Sequence, residues 1–346
     1  MKPLRSLRFK ELFPKEPAFR WKQVEEALFQ PQFHAWEEVS SLPKALRERL
    51  QEEVPWMSFK RSEVFHSKKG DTHKAMLTLE DDQKVETVLM ENRRGQWTIC
   101  VSSQVGCAMG CTFCATGKMG LLRSMTADEI MDQYRFWTDY LAEHPQLPQR
   151  ISNVVFMGMG EPLANYDNVK ATLQTWLRYT DLGPTHITVS TVGLLPVLEN
   201  LLKDPDWPAV RLAISLHSAD PVTRKEIVPS SYDGFLEKLE DWTFRYLEKF
   251  TGRRQHLTFE YVMLQNVNDT PDHAAKLAQL AQRVGRVKIN LIPYNFTDLG
   301  FQRSIHERTA IFKELLEGNG LTVTVRKTMG DDIAAACGQL ITIKKT

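Results

Sequence analysis

From about residue 95 onward the chain alternates short apolar runs with stretches of helical period, and few folds accept that pattern. The apolar runs are 97–103, 151–157, 186–191, 210–216, 257–264, 287–292 and 321–326. Between them, 127–141, 169–179, 235–250, 273–284 and 305–316 place apolar residues three and four apart. Parallel strands need a crossover long enough to hold a helix, so this alternation predicts a parallel sheet. Six or so units predict an α/β fold built on a TIM-type barrel, complete or partial, rather than on an open doubly wound sheet, and six units favour a partial TIM-type (β/α)6 barrel. Polar residues gather where each run ends. Cys107, Cys111 and Cys114 follow the first, and Gly158-Met159-Gly160-Glu161-Pro162 the second. Ser190 closes the third and Ser215-Leu216-His217 the fourth. Asn266 follows the fifth, Asn290 to Asn295 the sixth, and Gly330-Asp331-Asp332 and Cys337 the last. Barrels of this type build their sites at the C-terminal ends of the strands.

The region before residue 90 has a different character. Residues 1–55 read as helical, with Trp21, Val24, Ala27 and Leu28 on one stripe and Leu42, Leu46 and Leu50 on another. Residues 58–90 alternate instead: Ala75, Leu77 and Leu79, a turn at Asp81-Asp82, then Val85, Thr87 and Leu89. The expected division is an accessory domain over 1–90, helical then β, and a barrel with a C-terminal segment over 91–346. No apolar run reaches the ~18 residues that span a bilayer. The basic N-terminus leads into no apolar stretch, so a cytoplasmic location and no membrane partner are expected. Clustered cysteines in a reducing compartment point to metal or redox chemistry. A net charge of +1 does not itself suggest nucleic acid. Residues 1–22, however, carry seven Lys or Arg against two acids, and Arg93-Arg94, Arg253-Arg254 and Lys344-Lys345 are further basic pairs. Such patches engage phosphates or are simply solvated helix faces.

Four of the five cysteines lie between Cys100 and Cys114, and Cys107, Cys111 and Cys114 have the spacing CxxxCxxC. A four-iron cluster normally takes four Cys ligands, so three leave one iron open. Structural zinc competes, but it needs four ligands, commonly from two Cys pairs, and no second pair exists here. CxxxC followed by an aromatic (Phe113) and a third Cys, on a loop after a barrel strand, resembles the radical S-adenosylmethionine superfamily. That resemblance implies a [4Fe-4S] cluster on Cys107, Cys111 and Cys114, and S-adenosylmethionine cleaved to a 5′-deoxyadenosyl radical. Gly158–Pro162 is similar to the strand-end motif that binds the methionine amino group there, with Gly160 for close approach and Glu161 for the ammonium. Ser190, Ser215, Leu216 and His217 are similar in position to residues that bind ribose and carboxylate. Asn295 is placed to reach the adenine or ribose.

Cys100 and Cys337 are not needed as cluster ligands. A small buried hydrophobe is the ordinary role of such a thiol, yet Cys337 sits in a glycine-flanked stretch with no long apolar pattern. Cys-Val-Ser-Ser-Gln-Val-Gly-Cys, Phe-Met-Gly-Met-Gly-Glu-Pro, Ile-Ser-Leu-His-Ser, Glu-Tyr-Val-Met-Leu, Asn-Leu-Ile-Pro-Tyr-Asn and Gly-Asp-Asp-Ile-Ala-Ala-Ala-Cys-Gly-Gln-Leu occur in that order. Together they resemble the RlmN family of RNA adenine methyltransferases and its relative Cfr.

The resemblance implies two S-adenosylmethionines per turnover. One methylates Cys337; the other supplies the radical that takes a hydrogen from that methyl group. The carbon radical adds to adenine, giving a protein–RNA adduct. Cys100 resolves the adduct as a Cys100–Cys337 disulfide, which a thiol reductant reopens. A cellular electron donor reduces the cluster. Glu86 in Val-Glu-Thr-Val matches the family's proton acceptor; from alternation alone, its face is either apolar or solvated. The implied substrates are adenine 2503 of 23S rRNA and adenine 37 of tRNAs, methylated at C2 by a monomeric enzyme. A Cfr-like C8 reaction would use the same residues. An iron–sulfur RNA-binding protein without catalysis is the reading from another class. The N-terminal module is the expected RNA-docking element, with Lys118, Arg123, Arg93 and Arg94 as candidate phosphate contacts.

Overall fold

The computed structural model describes residues 4–92, 94–250 and 257–342. Three strands open the sheet, β1 (Phe59–His66), β2 (Thr72–Leu79) and β3 (Lys84–Glu91), and β4 (Trp97–Cys100) follows. β5 (Gln104–Gly106) and β6 (Leu121–Ser124) form a separate small hairpin. Then come β7 (Ile151–Phe156), β8 (Ile187–Thr191), β9 (Arg211–Ser215), β10 (Leu257–Met263), β11 (Val287–Pro293) and β12 (Thr322–Val325). The large sheet runs β1-β2-β3-β4-β7-β8-β9-β10-β11-β12, antiparallel as far as β4 and parallel beyond it. All seven expected barrel strands are present, and helices fill the six crossovers. The sheet stays open, with β1 and β12 as its edges, so the architecture is a partial barrel.

Local chemistry explains the helices. Ala127–Glu143 begins with a capping box: Glu129 N donates to Thr126 Oγ1 at 3.2 Å, and Thr126 N to Glu129 Oε2 at 2.8 Å. Pro271–Val284 starts on Thr270, whose side chain accepts from His273 N. Two short helices, Leu195–Lys203 and Pro221–Ile227, carry proline in their first turn, where its missing N–H costs nothing.

The first expected strand, 97–103, ends early. Beyond Cys100 the chain turns into β5, which pairs with β6. Gly106 (φ +78°) meets Gly120 (φ +70°) so closely that a Cβ on Gly106 would lie 1.9 Å from Gly120 O. Only glycine permits that approach.

The N-terminal helices Arg5–Leu12, Ala18–Ala27 and Lys44–Glu53 pack around their own apolar cluster, including Phe9, Val24, Trp36 and Leu50. β2 and β3 join the main core through Ala75, Leu77, Val85 and Leu89. Residue 90/91, the expected domain division, lies inside β3, which is paired to β4 through Val88 and Cys100.

Register decides what the C-terminal ends of the strands present. Lys74 lies opposite Val88, Met76 opposite Glu86, and Cys100 opposite Val88. Directly paired residues share a face, as do residues two apart, so Lys74, Glu86 and Cys100 lie on one face of the sheet. The other face of β3 packs on the Ala127–Glu143 helix, where Trp137 Nε1 donates to Thr87 Oγ1 at 3.2 Å. Both faces of β3 are therefore buried, and Glu86 is only 3% exposed. Among the described residues no helix is long and apolar enough to cross a membrane.

Candidate active site

The loop after β4 and β5 carries the three spaced cysteines and is tied down at several points. Cys107 N donates to Gly120 O (2.9 Å), Thr112 N to Ile227 O (3.0 Å) and Ala115 N to Gly338 O (2.8 Å). Phe113 meets His217 edge-on, with ring centroids 4.9 Å apart. Cys107, Cys111 and Cys114 are free thiols lining one inner cavity of about 150 Å³. Their thiols are close enough to act on one another electrostatically. Three thiolates from one loop suit a polynuclear cluster, in which each takes a different iron and one iron stays open, better than a closed zinc site, which needs four donors. Burial pushes Cys107 up to about 12, with Glu161 and Cys114 adding to it. Burial, Cys114 and Cys107 likewise push Cys111 up. Such thiols stay protonated until a metal displaces the proton. The donor set therefore fits a [4Fe-4S] cluster held by three cysteines.

The same cavity is lined by Gly160, Glu161, Ser190, Ser215, His217 and Asn295. Gly160 has φ +97°, and a Cβ there would lie 2.5 Å from Gln104 Cβ. Glu161 N donates to Gln104 Oε1 at 2.9 Å. The Glu161 carboxylate is buried and meets no cation among the described residues. It accepts from Leu163 N (3.0 Å) and Val192 N (2.9 Å), and burial pushes it up to about 7 against these hydrogen bonds. A buried carboxylate without a counter-ion is equipped to hold an ammonium. Ser190 and Ser215 lie Oγ to Oγ at 3.1 Å. His217 takes a left-handed backbone (φ +58°), and its Nδ1 accepts from Val262 N at 3.1 Å. That bond assigns the ring proton to Nε2. Burial, and then Arg224, lower His217 to about 3, so the ring is neutral. Leu216 does not line the cavity; its side chain is in the core.

A wider outer cleft of about 440 Å³ shares Met157, Ile292, Pro293, Asn295, Arg326 and Cys337 with the inner cavity. Cys337 is exposed and borders both spaces; Cys100, buried at the end of β4, borders the outer one. Burial and then Cys337 push the Cys100 thiol up to about 12. The segment carrying Cys337 is held by side chains from elsewhere in the sequence and by one bond of its own. Asn295 Nδ2 donates to Cys337 O (3.1 Å) and Thr116 Oγ1 to Leu340 O (2.6 Å), while within the segment Gln339 Nε2 donates to Asp331 Oδ1 (2.6 Å). Gly330, Ala334 and Gly338 all have positive φ, which bends the segment back on itself.

Glu86 lines neither space. Its carboxylate pairs with Lys74 Nζ at 2.8 Å and accepts from Ile341 N at 2.9 Å. Lys74 Nζ also donates to Ala334 O at 3.3 Å. The pair thus grips the Cys337 segment on both sides. Burial raises the Glu86 carboxylate, while Lys74 and the Ile341 amide oppose it.

Two residues in this site carry no separate signal in the sequence. Arg326, one residue past β12, borders both spaces and pairs with Glu260 at 3.6 Å. Glu260, in β10, borders the inner cavity and accepts from Asn290 Nδ2 at 2.8 Å. Glu260 stands inside Glu-Tyr-Val-Met-Leu, so its motif was visible while its direction was not.

The basic residues are largely committed elsewhere. Arg5 is buried against Asp128 and Asp132, Arg8 pairs with Glu53, and Arg20 with Glu16. Arg123 is held by Asp81 and Glu129. Lys10, Lys15 and Lys22 are exposed. Lys2, Arg93, Arg253, Arg254, Lys344 and Lys345 lie outside the described residues.

A strand-end cavity with three loop cysteines and a glycine-rich turn is matched at the level of sequence families: residues 101–278 fit the Radical SAM superfamily. The chain is a radical S-adenosylmethionine enzyme. It is 42% identical to a dual-specificity RNA methyltransferase RlmN from Alcanivorax borkumensis, over 94% of this chain and 85% of that protein. It is 40% identical to a probable RlmN from Carboxydothermus hydrogenoformans, over 94% and 92%. The crystal structure of a radical SAM methyltransferase from Sphaerobacter thermophilus superposes with a TM-score of 0.87 at 35% identity, covering 96% of each chain. The chain belongs to the RlmN family of RNA methyltransferases.

Proposed function

We propose that this enzyme methylates C2 of adenine in RNA, with adenine 2503 of 23S rRNA and adenine 37 of tRNAs as its targets. Cys337 carries the methyl group and Cys100 resolves the product. The observation that most supports this reading is that Cys337 borders both the cysteine-lined cavity and the outer cleft, and Cys100 borders the latter. A thiol at that junction can face a methyl donor inside and a nucleobase outside.

The cluster and S-adenosylmethionine, when bound, supply hydrogen-atom abstraction. Cys107, Cys111 and Cys114 hold the cluster; Gly160, Glu161, Ser190, Ser215 and His217 hold the cofactor, with Phe113 against His217. The chain's own residues then order the rest. Asn295 anchors the backbone of Cys337. Glu86 takes the ring proton once its grip on Lys74 and Ile341 yields, since neither carboxylate oxygen faces the cleft as it stands. Cys100 would attack Cys337 through sulfur, forming the disulfide as the sulfur–methylene bond breaks; the methylene carbon takes up a proton to become the methyl group, the adduct's unpaired electron passes back to the one-electron redox cofactor, and a thiol reductant reopens the disulfide. Two S-adenosylmethionines are used per turnover, one for each cysteine-centred step. The target base leaves its stack to reach the cleft. The protein acts as a cytoplasmic monomer with residues 1–90 as the RNA-docking domain.

Cys100→Ala is expected to accumulate a covalent RNA adduct on Cys337, seen as a nuclease-sensitive mass shift. Normal turnover by this variant would end the thiol-pair reading. Chromatographic separation of 2-methyladenosine from 8-methyladenosine in digested product tests the carbon, and an 8-methyl product would replace C2 by the Cfr-like reaction.

A further inference from the structure

Arg224 is among the largest fully buried side chains of the protein, yet it pairs with no carboxylate among the described residues. It lies in the short helix Pro221–Ile227, which sits against the cysteine loop through Thr112 N to Ile227 O at 3.0 Å. Its guanidinium donates to Leu216 O at 2.8 Å and Val192 O at 2.7 Å, main-chain carbonyls just beyond β9 and β8. Its charge lies 4.3 Å from the centre of the Phe235 ring. Nε has no hydrogen-bond partner. Val192 and Ile227 pack in the same small apolar cluster as Phe113, Cys111 and Cys114. Arg224 does not itself line the cavity. A cation stripped of water and left without an acid is costly. An anionic group next to Cys111 would repay that cost, and a cluster carried on three thiolates is such a group.

We infer that Arg224 is the buried counter-charge of the iron–sulfur cluster, a positioning residue that favours its reduced, more negative state and clamps the strand ends around the cofactor cavity. The inference rests on Cys107, Cys111 and Cys114 being the cluster ligands. Adding an electron to the cluster increases its negative charge, and a fixed positive charge in a poorly polarisable surrounding stabilises that state more than the oxidised one. Removing the charge makes reduction harder; replacing it with another cation largely does not.

The test uses full-length protein reconstituted anaerobically, without RNA. Iron and sulfide are counted, then the midpoint potential is read by redox titration with EPR detection. Arg224→Met and Arg224→Gln are expected to bind four irons and become at least tenfold harder to reduce, about 59 mV more negative for one electron. Arg224→Lys is expected to stay well inside that shift. Fully loaded neutral variants with the wild-type potential would overturn the inference. If the neutral variants fold but lose iron, Arg224→Lys decides. Iron retained by the lysine variant supports the counter-charge role, and iron lost there too overturns it, because only the hydrogen-bonding fork would then matter. Failure of the ligand assignment looks different: Cys107→Ala, Cys111→Ala and Cys114→Ala would bind a full cluster.

Discussion

Two buried glutamates flank this site, and they are provided for in opposite ways. Glu86 has a cation within 2.8 Å and an amide on its second oxygen, and both partners belong to a framework that holds the Cys337 segment. Glu161 accepts from amides and, among the described residues, meets no cation, and burial carries it up to about 7. The first carboxylate is already part of an ion pair. The second is held by neutral donors alone. Similar burial therefore leaves one carboxylate paired and the other open to a cation, and the presence of Lys74 is the difference.

The comparison breaks most directly at Lys74. Lys74→Met leaves Glu86 buried without its partner and should cost about 3–5 kcal/mol of stability, the range for removing one half of a buried pair. Chemical denaturation of the apo-protein measures it. Lys74→Met combined with Glu86→Gln should recover much of the loss, because the stranded charge is gone. No recovery would mean that Lys74 acts mainly through Ala334.

At Glu161 the expected cost falls on binding. Glu161→Gln should weaken S-adenosylmethionine binding to the reconstituted enzyme by about 1.5–3 kcal/mol, the scale of a hydrogen bond to a charged group. Equilibrium dialysis reads this directly. Cofactor affinity in the Lys74→Met variant should change far less.

A third expectation concerns space. Gly160→Ala places a Cβ 2.5 Å from Gln104 Cβ, on a residue with φ +97°. It should cost about 1–3 kcal/mol of stability, as strained backbone positions do, and disturb Glu161 through its bond to Gln104. Thermal unfolding and dialysis together separate the two effects.

A fourth expectation concerns pH. Because the folded protein raises Glu161, its neutral form contributes stability that is fully present below the ordinary carboxylate pKa of about 4.3. That contribution is lost as pH rises through about 7. The melting temperature of the apo-protein should therefore fall across this window more steeply than that of Glu161→Gln. Arrival of an ammonium reverses the preference, so cofactor binding near pH 7 should release about half a proton. Calorimetry in buffers of different ionisation enthalpy detects it; an unchanged proton count in Glu161→Gln would trace the release elsewhere.

Much of this was readable along the chain. The seven barrel strands fall where apolar runs predict them, although the first ends early at Cys100 and the edge strand β12 is half exposed; inner parallel strands covered on both faces read as near-continuous apolar runs. The three spaced cysteines and Gly158–Pro162 are local, since one loop carries each set. Less readable was the β5–β6 hairpin, which depends on the contact of Gly106 with Gly120, fourteen residues apart. Glu86 shows the limit from the other side. Alternation left its face either apolar or solvated, and could not say that this face is covered by residues 334–341.

The sequence by itself determined the barrel class, the cysteine spacing and the order of the strand-end motifs, because periodicity and short loops are properties of neighbouring residues. Tertiary structure alone decided that Cys337 meets both the cofactor cavity and the Cys100 cleft. It also decided that, among the described residues, Lys74 pairs with Glu86 while Glu161 meets no cation, and that Arg224 is buried without a carboxylate partner in the helix that packs on the cysteine loop. Those outcomes depend on strand register and on how a C-terminal segment folds back over the sheet. Charge pairing across such distances is set by which faces come together, and no local pattern encodes that.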